Sequence, residues 1–294
     1  MPPQFVHPAA EQQALAERHP LAAGLLTSGV SVSTASAMTN PFDVVKVRLQ
    51  LQALTDGPKV GMVSTFQGIL RNEGMSALWN GVTPAIGRGL FYGAVRIGLY
   101  KPLVDVLPIE NQAAQKVTAG CLSGALAAAV FNPFDLVKTR LQAKTAVPQG
   151  VGSIIRGVVA ENGVVGLWRG TVPSAVRAGV LTAAQCATYD STKRQLIAAT
   201  GWGDNISTQL LTSMATGLIT TTATAPVDTI KSRVFVEGAA GGGSTQTILR
   251  ILRNEGFRGF FKGWSAQYLR LGPQTTITFL VMERVRALAG MPSF

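Results

Sequence analysis

Apolar and polar residues alternate along this chain in blocks rather than residue by residue. Three uncharged stretches, His19 to Phe42, Val117 to Phe134 and Asn205 to Val227, have the roughly eighteen to twenty-four residues needed to cross a hydrocarbon core. Each runs into one copy of a decapeptide. Pro41-Phe42-Asp43-Val44-Val45-Lys46-Val47-Arg48-Leu49-Gln50 recurs as Pro133-Phe134-Asp135-Leu136-Val137-Lys138-Thr139-Arg140-Leu141-Gln142, and more loosely as Pro226-Val227-Asp228-Thr229-Ile230-Lys231-Ser232-Arg233-Val234-Phe235. The prolines are 92 and 93 residues apart, a period that cuts the 294 residues into thirds and marks one module used three times.

Within the first third the pattern predicts a helix over Leu21–Gln50, an amphipathic helix over Met62–Arg71, a turn through Glu73-Gly74 and Trp79-Asn80-Gly81, and a long helix over Val82–Leu107. The second repeats this as Ala114–Gln142, Val151–Ala160, Asn162-Gly163 to Trp168-Arg169-Gly170, and Val172–Ala198. In the third, Ile206–Phe235 leads through a Gly-rich linker to Thr245–Arg253, then Glu255-Gly256, Phe261-Lys262-Gly263 and a last helix over Trp264–Leu288. Proline removes a backbone donor and clashes with the preceding turn, so Pro41, Pro133 and Pro226 are expected to kink the first helix of each module. From these prolines to Gly74, Gly163 and Gly256 is 33, 30 and 30 residues, so one loop is longer and the frame is otherwise kept. The expected fold is an all-α membrane protein of six transmembrane helices in three tandem repeats with pseudo-threefold symmetry. A tail, 1–20, precedes repeats over 21–110, 111–203 and 204–294. Gly120 with Gly124, and Ser213 with Gly217, provide small faces for close packing; Ser28 and Val32 hold the equivalent places in repeat one. A soluble all-α repeat protein is the alternative, disfavoured by the uncharged runs.

Composition agrees. Apolar residues make up 47% and charged residues only 14%, sparse for a soluble protein. A net charge of +11 from 26 bases and 15 acids calls for an anionic partner. The bases are scattered through apolar segments, which excludes a nucleic-acid footprint and leaves anionic lipid headgroups and a small anionic solute. Cys121 and Cys186 lie far apart in apolar segments, imply no disulfide, and are expected to be small buried residues. His7 and His19 have no Cys or carboxylate at ligand spacing. No metal site, no histidine catalysis and no nucleophile–base pair is expected, so the chain does not read as an enzyme. With Glu11 and Glu17 against Arg18, the first twenty residues do not resemble a cleavable presequence.

Ionisable groups inside membrane segments are costly and mark function. In each decapeptide Asp and Lys stand at i and i+3 on one helical face, which permits three local salt bridges. If the three kinked helices converge, each Asp instead reaches a neighbour's Lys, and Asp43, Lys46, Asp135, Lys138, Asp228 and Lys231 close into a ring; the threefold identity favours the ring. Arg88, Arg177 and Arg270 lie 47, 44 and 44 residues after the prolines and seven after Gly81, Gly170 and Gly263. Seven residues are about 10 Å of helix rise, so these arginines are expected to line a water-filled cavity, where their planar forks suit carboxylate or phosphate. Pairing with an acid elsewhere is the alternative for any one of them, and acids at that depth look too few to hold all three. Eight residues further stand Arg96, Gln185 and Thr278; four further, Tyr92, Leu181 and Gln274. Thirteen residues beyond each arginine a second charged site appears, with Tyr189, Asp190 and Lys193 in repeat two and Glu283 and Arg286 in repeat three. Repeat one has Lys101 and Val104 there, so this ring is incomplete.

The threefold Pro-x-Asp-x-x-Lys-x-Arg, followed about thirty residues on by Gly and an aromatic-x-Gly, resembles the mitochondrial carrier family over nearly the whole chain. The resemblance implies an inner-membrane, multi-pass transporter working by alternating access, as a monomer and without a cofactor; a bound anionic lipid such as cardiolipin is compatible with it. It makes the decapeptide ring a matrix-side gate braced by Gln50 and Gln142, with Phe235 where a third glutamine belongs, and the second ring a cytoplasmic-side gate. Asn162 departs from the family's acid, with Glu161 one place early. Arg270-Leu271-Gly272-Pro273 and Ala183-Ala184-Gln185 are similar to the oxoglutarate and dicarboxylate carriers, whereas Val95-Arg96-Ile97-Gly98-Leu99-Tyr100 is similar to the uncoupling branch. The expected function is exchange of C4 to C5 dicarboxylates or oxo-acids, bound by Arg88, Arg177 and Arg270 and tuned by Arg96, Gln185 and Thr278. A proton-leak uncoupler is the alternative, as is a transport-inactive scaffold, against which the six retained gate charges argue. The incomplete second ring predicts a resting state open to the cytoplasm.

Overall fold

A computed structural model describes residues 20–54, 60–143, 150–201, 206–238 and 242–288; the tail with His7 and His19 lies outside them. Repeat one holds α1 (Pro20–Met38), α2 (Asn40–Leu51), α3 (Met62–Asn72) and α4 (Val82–Val106). Repeat two holds α5 (Gln112–Val130), α6 (Asn132–Gln142), α7 (Val151–Asn162) and α8 (Thr171–Thr200). Repeat three holds α9 (Ile206–Glu237), α10 (Ser244–Glu255) and α11 (Trp264–Leu288). Single 3-10 turns, Met75–Trp79, Val164–Trp168 and Phe257–Phe261, precede the last helix of each repeat. No strand occurs among the described residues.

Two of the three expected kinks are breaks. They fall at Thr39 and Phe131, two residues before the proline, because Pro41 and Pro133 sit in the first turn of α2 and α6, where a backbone donor is not needed. The joint between α5 and α6 bends by 63°. In repeat three no break accompanies the proline, and α9 runs unbroken through Pro226. In the first two repeats the residue before proline is an asparagine that grips the adjacent 3-10 turn. Asn40 Nδ2 donates to the carbonyls of Leu78 (2.9 Å) and Asn80 (3.0 Å), and Asn132 Nδ2 to those of Leu167 (3.0 Å) and Arg169 (2.9 Å). Ala225 has no such handle. There the tie comes from Thr229, one turn later, donating to the Phe260 carbonyl at 2.8 Å, and nothing draws the helix apart at the proline.

The long helices close a ring, α1 on α4, α4 on α5, α5 on α8, α8 on α9, α9 on α11 and α11 back on α1. Its burial pattern is inverted relative to a water-soluble bundle. On α9, Thr208, Thr212, Thr216, Thr220 and Thr224 are buried while Leu211, Met214, Leu218 and Ile219 are exposed. Thr212, Thr220 and Thr224 donate to the carbonyl one turn back at 2.7–2.8 Å, which lowers the cost of burying their hydroxyls. Small and polar residues inside with large apolar residues outside is what a lipid solvent selects, and the six long helices are the transmembrane helices. The polar inner faces also explain why no single helix is long and apolar enough to cross a membrane by composition, although α5 and α6 together are.

Close approach uses glycine as expected in repeat two, where a methyl on Gly124 would stand 3.5 Å from Ala178 Cβ. In repeat one the register differs by one. Gly29 carries the approach, 2.8 Å from a methyl to the Leu90 carbonyl oxygen, while Ser28 and Val32 line a cavity. At the kinked end, α3, α7 and α10 each tuck one fully buried isoleucine, Ile69, Ile154 and Ile251, against the bundle, worth about 1.5–3 kcal/mol apiece.

Candidate functional site

The first half of the ring exists as expected: each Lys crosses to the Asp of the preceding repeat. Lys138 Nζ donates to Asp43 Oδ2 at 2.6 Å, Lys231 to Asp135 Oδ2 at 2.7 Å, and Lys46 to Asp228 Oδ2 at 2.9 Å. The three arginines correct the reading that acids at their depth are too few. Arg270 pairs with Asp43, Arg177 with Asp228, and Arg88 Nε lies 3.1 Å from Asp135 Oδ1. Each carboxylate therefore gives one oxygen to the lysine of the following repeat and the other to the arginine of the preceding one. Three carboxylates serve six cations, so this ring of nine has a net charge of +3. All three aspartates are buried. The arginines keep 20–31% of their side-chain surface, and those of repeats one and three line a cavity.

A second tier went unassigned in the sequence. Arg48 Nε donates to the Gln142 carbonyl (3.2 Å), Arg140 Nε to that of Phe235 (2.8 Å) and Arg233 Nε to that of Gln50 (3.1 Å), so each repeat is tied to the next. Arg48 and Arg233 each turn two further nitrogens onto Glu73 and Glu255. Lys262 also reaches Glu255 at 2.5 Å. Burial pushes the Glu255 carboxyl up, but the hydrogen bonds from Arg233 and Lys262 outweigh it and hold the group below its ordinary range. In repeat two Asn162 takes the acid's place, and Glu161 lies with Arg140 beside Gly238. The threefold Arg of the decapeptides, with Glu73 and Glu255, was the available signal.

The expected glutamine braces make no side-chain hydrogen bond to the Asp–Lys pairs. Gln50 Oε1 accepts from Ser232 Oγ (2.7 Å), and Gln142 Nε2 donates to Asn40 Oδ1 (3.2 Å). Both are drawn instead to polar groups of the adjoining repeat. Phe235 is fully buried, and Lys231 Nζ sits 5.2 Å from its ring centroid. Each brace position is covered by the turn glycine of the repeat before it. Gly81, Gly170 and Gly263, all near φ +80°, lie against Gln142, Phe235 and Gln50.

Inward of the ring lies a cavity of about 230 Å³ lined by Arg88, Tyr92, Lys138, Arg270 and Gln274. Arg177 is turned onto Asp228 at the ring itself. Arg96 lines a second cavity between α4, α5 and α8, with its guanidinium over Gly124 and Nη2 donating to Thr182 at 2.9 Å. Cys186 lines the same cavity and is exposed, and Cys121 is half-buried. The expectation that both are buried fails because α8 turns Cys186 into this opening. Gln185 is exposed, and Thr278 donates to its own helix at Gln274 (2.7 Å). At the far end Tyr189 and Lys193 are half-buried on α8, Glu283 is exposed and Arg286 half-buried on α11; the side chain of Asp190 lies outside those described.

Comparison with known proteins agrees with this architecture. The family model described as mitochondrial carrier protein matches three times, at residues 17–111, 109–199 and 203–292. The chain is 34% identical over 278 residues to a probable mitochondrial 2-oxoglutarate/malate carrier protein of Dictyostelium discoideum, covering 88% of this chain and 87% of that one. It is 33% identical over 277 residues to mitochondrial uncoupling protein 1 of Arabidopsis thaliana, covering 88% and 90%. It is 32% identical over 283 residues to mitochondrial substrate carrier family protein ucpB of Dictyostelium discoideum, covering 90% and 95%. Three repeats in the sequence, three in the bundle and three family matches converge: the chain belongs to the mitochondrial carrier family and is a transporter, not an enzyme.

Proposed function

We propose that this carrier exchanges small carboxylates, C4 to C5 dicarboxylates or oxo-acids, across the mitochondrial inner membrane by alternating access, with the ring of nine as its matrix-side gate. The observation that carries this reading is the sharing of each gate carboxylate between a lysine and a cavity arginine. An anion that takes the arginines competes directly with the gate aspartates, so its binding weakens the closed ring without a relay. A ligand drives a conformational change only through such differential contacts. The net +3 supplies attraction, and a volume of about 230 Å³ restricts the occupant to a small solute. Arg96, Gln185 and Thr278 would tune selectivity above the ring. The protein would work as a monomer with anionic lipid at its surface, resting open to the cytoplasm with the ring of nine closed.

Exchange is tested with purified protein in liposomes preloaded with 2-oxoglutarate or malate. Arg177→Gln is expected to lose at least about tenfold in uptake, the effect of one charge-assisted contact; unchanged exchange of every carboxylate in this variant would refute the assignment. The similarity to an uncoupling protein supports a second reading, proton leak through the same cavity. Proton flux in liposomes without dicarboxylates separates the two.

A further inference from the structure

The three cavity arginines are equivalent in sequence but not in setting. Arg177 and Arg270 each make a close hydrogen bond to their aspartate. Arg88 does not: its Nε lies 3.1 Å from Asp135 without hydrogen-bond geometry, and it is the most exposed of the three at 31%. Its guanidinium carbon instead sits 4.4 Å over the ring of Tyr92, one helical turn further along α4. Tyr92 meets Phe131 edge-on, with centroids 5.9 Å apart, and its hydroxyl reaches the Gly124 carbonyl at 3.4 Å.

Phe131 is the residue at which α5 breaks into α6, and the joint bends by 63°. Its carbonyl accepts the backbone N–H of Asp135 at 3.2 Å. Its ring packs on Phe134 with a centroid distance of 5.7 Å, and Phe134 closes against Gly87 of α4. Arg88 thus touches repeat two twice, once through the gate carboxylate and once through an aromatic chain ending in the hinge that carries that carboxylate. The other repeats lack this chain. The equivalent positions are Thr39, at the break between α1 and α2, and Thr224, inside unbroken α9; both hydroxyls are satisfied by the carbonyl one turn back at 2.8 Å, and Leu181 and Gln274 stand where Tyr92 does.

We propose that Tyr92 is a positioning residue that couples occupancy of Arg88 to the α5–α6 hinge, so that the joint between repeats one and two is the first part of the closed gate to respond to an anion. The proposal rests on the carrier reading for the anion and on geometry alone for the coupling. An anion taking Arg88 draws the guanidinium off both Asp135 and Tyr92. The ring then loses the cation that holds its face, its edge contact with Phe131 loosens, and the hinge is released. Arg177 and Arg270 act only through their carboxylates.

The test uses full-length protein in lipid nanodiscs and amide hydrogen exchange over residues 127–137, with 36–45 and 220–230 as internal references. Without any solute, Tyr92→Leu is expected to raise exchange over 127–137 about fivefold, the loss of one cation–π contact, and to leave both references unchanged. Phe131→Leu, which keeps Arg88 and Tyr92, should do the same. The double variant should go no further than either single one, and Tyr92→Phe should retain protection. With 2-oxoglutarate, the wild type should show the same rise and Tyr92→Leu none. In preloaded liposomes Tyr92→Leu should lower maximal exchange about fivefold with half-saturation within about twofold. Unchanged solute-free exchange in Tyr92→Leu, or an equal rise in all three segments, overturns the coupling. If 2-oxoglutarate is exchanged but leaves 127–137 unaltered, the coupling falls and the carrier reading stands. If no carboxylate is exchanged, the proposed carboxylate exchange falls while the solute-free comparison still decides the coupling.

Discussion

Replacing Asp228 with asparagine separates a gate of six charges from a gate of nine. Asp228 is 3% exposed, accepts from Lys46 at 2.9 Å through one oxygen and pairs with Arg177 through the other. The substitution keeps its volume and removes its charge, raising the ring from +3 to +4 and leaving two cations without a counter-ion. Removing one member of a buried pair costs about 3–5 kcal/mol. Arg177 keeps 23% of its side-chain surface, which places the cost at the lower end, about 3 kcal/mol. At about 1.4 kcal/mol per tenfold, the closed gate loses roughly a hundredfold against the open one. The assay is labelling by a membrane-impermeant maleimide from the gated side, using a single cysteine at Ser36, which lines the cavity, with Cys121 and Cys186 replaced by alanine. The labelling rate should rise steeply in Asp228→Asn. Charge reversal sharpens the test. A ring of six predicts that Lys46→Asp with Asp228→Lys restores closure, whereas a ring of nine predicts failure, because Arg177 then faces a lysine. Full recovery in the reversed pair would refute the shared-carboxylate geometry.

Three further outcomes follow from the same contacts. Phe235→Gln should destabilise the gate, because it gives up the Lys231 contact at 5.2 Å, worth about 0.5–2 kcal/mol, and buries an amide in an apolar setting; a rise in the melting temperature would contradict this. Gly170→Ala should cost about 3 kcal/mol, since it combines left-handed backbone with a methyl 2.5 Å from the Phe235 ring, whereas Gly201→Ala, left-handed at φ +67° but in open space, should cost about 1 kcal/mol; thermal unfolding in detergent ranks the two. The Glu255 carboxyl is held below its ordinary value of 4.5, so its contribution is complete above that value and is lost as pH falls through its lowered folded value. The melting-temperature gap between wild type and Glu255→Gln should therefore be full at pH 7 and close as pH drops below about 4.5; a gap unchanged down to pH 3 would rule out the charged pairing.

Helix number, order and most boundaries were legible because the uncharged runs and the decapeptide period are properties of the chain alone. What escaped reading depends on which repeat meets which. Pro226 reads like Pro41 and Pro133, but the break follows the asparagine before the proline, and Ala225 lacks its amide. Gln50 and Gln142 read as braces, yet Ser232 and Asn40 are closer partners once the repeats interlock. Cys186 sits in an apolar run and still opens to a cavity, because an uncharged helix in a membrane does not announce which face is wet.

The arginine–aspartate partnership is the instructive case, since its distances follow from one docking. Gly81 lies beside the Lys138 carbonyl, with 3.0 Å from an added methyl to the oxygen, which sets the turn of α4 level with Lys138 on α6. Arg88 is seven residues deeper, about 10 Å, and Asp135 is three residues deeper than Lys138, about 4.5 Å. The gap of about 6 Å is one that an extended arginine side chain spans. Side chains on a helix lean toward its N-terminus, so Arg88 leans back toward the turn and hence toward Asp135. The same step runs from Gly263 to repeat one, where it meets the Lys46 carbonyl, while Gly170 docks on repeat three against Phe235 and Val234. Depth along the helix was correctly read in the sequence; the direction of lean, combined with the docking of one repeat on the next, turns three cavity arginines into members of the gate.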